Sequence, residues 1–144
     1  MRTAHIFRIL VLALIATIGI ASPSFAQSGL LKKKTKLDPI TLSAGKPLAD
    51  KPYELEAGKY YTIKIKADGS QELALAGPEF FRNVWINEIV INDIEIRPLG
   101  VDSLEFDGEG EAEISFIPIR PGTFELRIPK TTGDTQRAIF QVKG

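Results

Sequence analysis

The chain has no cysteine at all, a single histidine, a single methionine and a single tryptophan among 144 residues. Each absence removes a class of chemistry. Without cysteine there are no disulfides, no thiolate nucleophile, no thiolate metal site and no thiol to carry a lipid. The lone histidine is His5 and the lone methionine is Met1, both at the extreme N-terminus. No Gly-x-Ser-x-Gly elbow and no phosphate-cradling glycine loop occur. Carboxylates exist, as in any strand-rich acidic domain, but no pair of them points to general acid–base catalysis. An enzyme is therefore not expected. Charge of one sign is missing too, since 18 basic side chains balance 18 acidic ones. That balance gives no global reason to bind nucleic acid or an anionic membrane.

The first 26 residues have the layout of a secretory signal peptide. Arg2 and Arg8 precede an apolar run from Ile9 to Ala21, and Ser24 and Ala26 place small residues ahead of a cut before Gln27. The competing reading is a membrane anchor, but the run is shorter than the ~18 to 20 residues a span needs. Arg2 and Arg8 are not a twin-arginine pair, so a Sec-type route to the periplasm is expected, with no stable membrane insertion after cleavage. Cleavage would leave 118 residues, one small domain, with 16 basic against 18 acidic groups and a formal charge near −2. It would also remove His5 and Met1. Such a domain must stand on its hydrophobic core without staples.

Residues 27–36 (QSGLLKKKTK) are polar, basic and unpatterned, and read as a flexible arm. Lys32, Lys33, Lys34 and Lys36 suit either a solvated leader or contact with an acidic partner. From Leu37 to Gly144 the pattern is that of one β domain. Ile40 and Leu42, then Tyr53 and Leu55, then Tyr61, Ile63, Ile65 and Ala67 alternate with polar residues. Gly, Pro and Asp punctuate the runs at short intervals, as at Ala57-Gly58-Lys59 and Asp68-Gly69-Ser70. Pro78 to Asn83 is the one place for a helical turn, with proline at its first position. Val84 to Ile96 holds two strands broken near Asn92-Asp93. Ala112, Ile114 and Phe116, then Phe124, Leu126 and Ile128, supply two more alternating runs, and Arg137 to Val142 the last strand. The expectation is an all-β sandwich of about seven to nine strands with at most one short helical turn.

Several segments then carry a resemblance. AGKYYTIKI (57–65), DGSQELALAGPEFF (68–81), FDGEGEAEISFIPIRPGTFEL (106–126) and RAIFQV (137–142) look like cupredoxin-like domains of the EfeO type over most of Pro39 to Val142. The sharpest pieces are Gly77-Pro78-Glu79-Phe80-Phe81 and Phe116 to Glu125. The resemblance implies a Greek-key β-sandwich, and in better-known members one copper ion used for electron transfer or metal handling. In that family a histidine follows the acidic residue before the Pro-Glu-Phe-Phe strand ends, where this chain has Glu72 and then Leu73. A cysteine is expected at Ile128, a second histidine near Thr131, and a methionine near Thr135 or Gln136. All four ligand types are missing. Blue copper depends on a thiolate and two imidazoles, which carboxylates and amides cannot replace. The vacated positions Leu73, Ile128, Thr131 and Gln136 therefore imply a scaffold without copper chemistry and without a cofactor. Leucine and isoleucine there are expected to pack where metal would have linked two loops.

Three other groups have competing readings. Glu105, Asp107, Glu109, Glu111 and Glu113 could offer oxygen ligands to a hard cation, although the spacing is not that of an EF-hand. Equally, Glu109, Glu111 and Glu113 share one strand face opposite Ala112, Ile114 and Phe116, as a solvent face does. The loop Thr131 to Arg137 could hydrogen-bond a ligand or a partner's backbone, or simply turn the chain, with Asp134 and Arg137 pairing across it. Phe80, Phe81 and Trp85 are core formers or, where exposed, a docking patch. The functional expectation is a non-redox binding or accessory module of the periplasm. Its contact surface to an envelope protein partner would lie near Pro78, Phe81, Trp85, Asp134 and Arg137. The alternative is a carboxylate-based carrier of a hard cation.

Overall fold

The structure, a computed structural model, describes residues 33–144. The expected signal peptide, 1–26, and most of the expected arm lie outside the described residues. Among the described residues eleven strands form two packed sheets, joined by one short α-helix and a 3-10 turn at Asp134–Gln136. The strands are β1 (Thr35–Lys36), β2 (Ile40–Leu42), β3 (Tyr53–Glu56), β4 (Tyr61–Asp68), β5 (Leu73–Ala76), β6 (Val84–Ile91), β7 (Ile94–Ile96), β8 (Ser103–Phe106), β9 (Glu109–Pro118), β10 (Gly122–Arg127) and β11 (Arg137–Lys143). Helix α1 (Pro78–Arg82) joins β5 to β6. One sheet runs β1-β4-β9-β6-β7, with β2 also on β4; the other runs β3-β11-β10-β5-β8.

Alternation in the sequence becomes alternation in burial. Tyr53 and Leu55 are buried while Glu54 and Glu56 are exposed, and Ile63 and Ile65 on β4 face Ile114 and Ala112 on β9 in register. The inward residues of both sheets make one core. Phe80 lies at its centre, carried there by α1. Its ring meets Phe116 of the first sheet edge-on at 5.4 Å and Phe140 of the second at 4.4 Å, so this one side chain joins the two sheets. Gly77 seats the helix: a Cβ there would stand 2.6 Å from the Glu125 carbonyl oxygen and 2.5 Å from Leu126 Cδ2. The Gly-Pro-Glu-Phe-Phe segment thus combines a close backbone approach, a proline at the first helical turn and two buried rings.

Two expectations need correction. The arm does not run free to Lys36. The Thr35 N–H donates to the Tyr60 carbonyl at 2.8 Å and the Leu37 N–H to the Thr62 carbonyl at 2.9 Å, so β1 pairs in parallel with the start of β4. The edge of β4 offers unpaired backbone groups that the incoming chain satisfies, with Pro39 interrupting the pairing before β2 resumes it. Strand number also exceeds seven to nine, because the two-residue β1, too short to show an alternation pattern, adds to the runs legible in the sequence. Each sheet is mixed, with parallel pairing of β1 and β2 to β4, and of β3 to β11.

Candidate functional site

The loops after β2, β4, β8 and β10 gather at one end of the sandwich. Ser43 Oγ donates to Asp68 at 2.6 Å, and the Ala44 N–H to Ser70 Oγ at 2.9 Å. The Leu48 N–H donates to the Thr135 carbonyl at 2.9 Å. The Ser43 hydroxyl, joined by the Ser70 hydroxyl and the Ser70 N–H, which donates to Asp68 at 2.9 Å, holds Asp68 below its ordinary value at about 2.

The four positions at which the resemblance would place copper ligands belong to this end. Strands β5 and β10 pair antiparallel through Ala76 and Arg127. Leu73, ahead of Ala76, and Ile128, just past Arg127, therefore lie on the same side of that pair, toward the β10–β11 loop. Both are half-buried and pack against the core. Thr131 and Gln136 belong to the loop itself. Thr131 Oγ1 donates to the Ile128 carbonyl at 2.6 Å, and the Ile128 N–H donates to the Gln136 carbonyl at 3.0 Å.

Hydrophobic packing alone does not hold the loop. Arg127 donates to the carbonyls of Thr131 (3.3 Å) and Gly133 (3.1 Å) while its Nε donates to Glu125 at 2.9 Å. Arg137 bonds Glu125 at 3.3 Å and Asp134 at 2.5 Å. Glu125 is held below the usual carboxylate range, first by the hydrogen bond from Arg127 and further by Arg137. Arg127 thus ties two loop carbonyls to Glu125, the carboxylate it shares with Arg137, and the Gly133 carbonyl also accepts from the Gln136 N–H at 3.2 Å. The Asp134–Arg137 pair is present as the sequence suggested; the central parts of Glu125 and Arg127 were not visible there. Glu125 and Arg127 show only as outward residues of a strand, and the loop carbonyls they serve carry no sequence signal.

The acidic stretch does not converge. Glu111 is engaged by Lys64 and by Lys66, the latter at 3.4 Å, and Glu113 accepts from Thr62 at 2.9 Å. The hydrogen bond from Lys64 is the first cause of a lowered Glu111 pKa. These two residues form a cross-strand ion-pair ladder between β4 and β9. Glu105 and Asp107 instead meet Glu72, one ligand atom from each lying within 4.8 Å of the others, all exposed. Glu72, from the β4–β5 turn, was not in the expected set, and Glu109 stands apart as an exposed residue opposite Asp68.

The expected contact residues divide between the two outer faces. Phe81 is buried, with its ring packed edge-on against Phe80 at 5.5 Å. Trp85, 46% exposed, pairs with Ile117 on the outer face of the first sheet. Arg137 and Arg127 lie opposite one another on the outer face of the second sheet. There Pro78 joins Glu125, Arg127 and Pro129 around a cleft of about 280 Å³. Pro78, Asp134 and Arg137 thus belong to one side of the molecule and Trp85 to the other. Period-2 alternation on two different sheets causes the split. A further buried charge escaped the sequence reading: Glu88, on the outer face of the first sheet, bonds Lys34 at 2.5 Å and Arg97 at 3.1 Å. A bulge between Ile86 and Glu88 puts it there; Lys34 Nζ, its partner, lies over the Tyr60 ring at 5.6 Å, and the Tyr60 hydroxyl accepts from Asn87 at 2.9 Å.

In three dimensions the chain is similar to solved multicopper oxidases. That of Pseudomonas parafulva shares 19% identity at a TM-score of 0.56, over 78% of this chain and 31% of that one. That of Pseudomonas thermotolerans shares 15% at 0.52, over 76% and 30%. A metallo-oxidase from Campylobacter jejuni shares 7% at 0.51, over 78% and 31%. The chain spans about 31% of the length of the first of these proteins. At such identities the likeness is one of fold, and the fold is that of a cupredoxin-like β-sandwich. No protein-family model matches the sequence, and no curated protein does.

The copper implied by that fold does not fit these residues. Leu73 and Ile128 offer no donor atom, and Thr131 and Gln136 offer only a hydroxyl and an amide. No cysteine exists anywhere in the chain, and no histidine or methionine exists among the described residues. A soft-ligand trigonal site cannot be assembled from this set.

Proposed function

We propose that the chain is a non-redox binding module, built on a cupredoxin-like sandwich of EfeO type, that serves a metal-uptake or envelope system in the periplasm and performs no catalysis of its own. One observation carries the reading: the loop end where the fold would place copper is populated by Leu73, Ile128, Thr131 and Gln136 and held by Arg127, Arg137 and Glu125 instead. The contact surface is the side bearing Pro78, Asp134 and Arg137, where a shallow cleft sits beside a rigid, charged loop. Among the described residues no helix is long and apolar enough to cross a membrane.

Calorimetry with Cu⁺, Cu²⁺, Fe³⁺ and Ca²⁺, following Trp85 fluorescence in parallel, tests this. Saturable micromolar binding of none of these ions is the expected result. Tight copper binding overturns the reading outright. Saturable Ca²⁺ or Fe³⁺ binding that Glu105→Gln with Asp107→Asn abolishes would replace it with a carboxylate-based carrier using Glu72, Glu105 and Asp107.

A further inference from the structure

Strand β7 is the unpaired edge of the first sheet, and its residues Ile94, Glu95 and Ile96 are all exposed. Natural sheets blunt such edges with short strands, charged side chains, proline, inward-pointing charges or a covering loop. This one is short and is followed by Pro98, but it carries neither a lysine nor an inward-pointing charge, and its two outer-face charges are of opposite sign. Ile94 is 64% exposed and Ile96 43%, and Ile91 and Leu99 beside them are exposed as well. The hairpin behind it is well defined. Asn92 and Asp93 have φ of 48° and 65°, the left-handed pair a two-residue primed turn demands, and Ile91 pairs with Ile94 across it.

That turn fixes which backbone groups are free. The residues closing a two-residue hairpin exchange hydrogen bonds with each other, and alternation follows along the strand. Ile94 and Ile96 therefore turn their N–H and C=O toward β6, while Glu95 and Arg97 turn theirs outward. Carried on, the same alternation aims the nitrogen of Pro98 inward, so the missing donor of proline costs the free edge nothing. The inner-face side chains are Ile94 and Ile96, since Ile96 pairs with the core residue Ile89. The outer face carries Glu95 and Arg97, bonded to each other at 3.0 Å.

We propose that β7 pairs antiparallel with β7 of a second copy of this chain, about a two-fold axis through Ile96. The charge pattern selects that axis. About Ile96, Glu95 of each copy faces Arg97 of the other, so both outward-facing residues meet opposite charge and complementary backbone groups at once. Ile96 faces its own counterpart on the inner face. An axis one residue back would set Glu95 against Glu95 and is disfavoured. Arg97 also reaches back to β6, where its guanidinium donates to the Asn87 carbonyl (3.3 Å) and side chain (3.1 Å) and pairs with buried Glu88, so the partner's Glu95 would share a guanidinium already fixed on the outer face. Lys34, Glu88, Arg97 and Glu95 form one ion-pair cluster of zero net charge behind the edge in each copy. The two first sheets then become one continuous sheet. A contact this narrow is smaller than a permanent interface, so the dimer is concentration-dependent.

The chain's lack of cysteine makes the register measurable, because any thiol introduced is the only one. A non-hydrogen-bonded antiparallel pair sets Cα atoms about 4.5 Å apart, within disulfide range. Under mild oxidation, purified Ile96→Cys chain is expected to cross-link roughly tenfold faster than Ile119→Cys, an exposed position away from β7. Glu95→Cys and Arg97→Cys should cross-link slowly alone and quickly when mixed. Sedimentation equilibrium of the unmodified chain should show a monomer–dimer equilibrium, weakened roughly tenfold or more by Ile96→Lys, which sets two like charges face to face. A chain that stays monomeric at all concentrations overturns the proposal. So does equal cross-linking at Ile96 and Ile119, whatever other strand the edge then takes, and fastest cross-linking of Glu95→Cys alone refutes the axis.

Discussion

Replacing Gly77 by alanine isolates the contact on which α1 and its central phenylalanine depend. The backbone at Gly77 is extended, φ −173°, so conformation alone would admit alanine. The obstacle is space. An added Cβ meets the Glu125 carbonyl oxygen at 2.6 Å and Leu126 Cδ2 at 2.5 Å. The leucine methyl can swing, but the oxygen belongs to the backbone of β10, which is paired along its length with β11. Restoring ordinary contact needs a displacement of the order of 0.7 Å, shared between α1 and β10. The Gly77 N–H bond to Asp102 (3.1 Å) and the Phe81 N–H bond to the Gly77 carbonyl (2.9 Å) resist movement on the helix side. Overpacking costs about 1 to 3 kcal/mol, and a backbone obstacle belongs at the upper end. Alanine returns about 0.4 to 1 kcal/mol by restricting the unfolded chain. A net loss of about 2 kcal/mol should lower Tm by about 8 °C in a domain of this size. The matched control is Gly100→Ala, where a Cβ meets nothing within 4 Å and only the unfolded-chain term remains. Urea unfolding followed by far-ultraviolet circular dichroism and Trp85 fluorescence gives both values. If Gly77→Ala proves as stable as Gly100→Ala, the close approach of α1 to β10 is wrong, and with it the placement of Phe80 between the sheets.

Two further outcomes follow from the loop end. Asp68, at about 2, lies below its unfolded value of 3.8, so it adds stability above about pH 4 that is lost as pH falls toward 2; carboxyl titration by NMR should show the pKa rising in Ser43→Ala, and Asp68→Asn should flatten the stability slope in that window. Arg127→Met keeps the aliphatic stem but removes the guanidinium donors to Thr131 and Gly133, so amide exchange at Ile128 and Gln136 should quicken by roughly tenfold while β4 and β9 stay protected; unchanged exchange there would show that the clamp does not hold the loop.

What the sequence disclosed was whatever repeats locally. Period-2 patterns such as Tyr53-Glu54-Leu55-Glu56 placed residues on inner or outer faces, because a strand's two faces meet different solvents. Asn92-Asp93 was legible as a break because few other residues tolerate a left-handed pair. Relations between distant segments were not legible. Pairing of Thr35 with Tyr61 depends on an edge that exists only after β4 has folded against β9. Glu72 joins Glu105 and Asp107 because β5 pairs with β8, which no local pattern announces. Trp85 and Arg137 were read as neighbours because both flank loops, yet they belong to different sheets.

The loop between β10 and β11 shows why the residues expected to pack in place of metal could not act alone. A metal ion joins side chains, so its loss could in principle be offset by apolar side chains packing together. The loop also has a Thr131 carbonyl that needs a partner and a Gly133 carbonyl with room for a second beside the Gln136 N–H, and the side chains of Leu73 and Ile128 cannot donate to them. A guanidinium can, because its fork of donors reaches two carbonyls and a carboxylate at once. The same geometry makes the end of the sandwich charged and rigid instead of soft and apolar. Such a surface selects a partner by matching hydrogen bonds and charge, which is the form of recognition proposed for Pro78, Asp134 and Arg137.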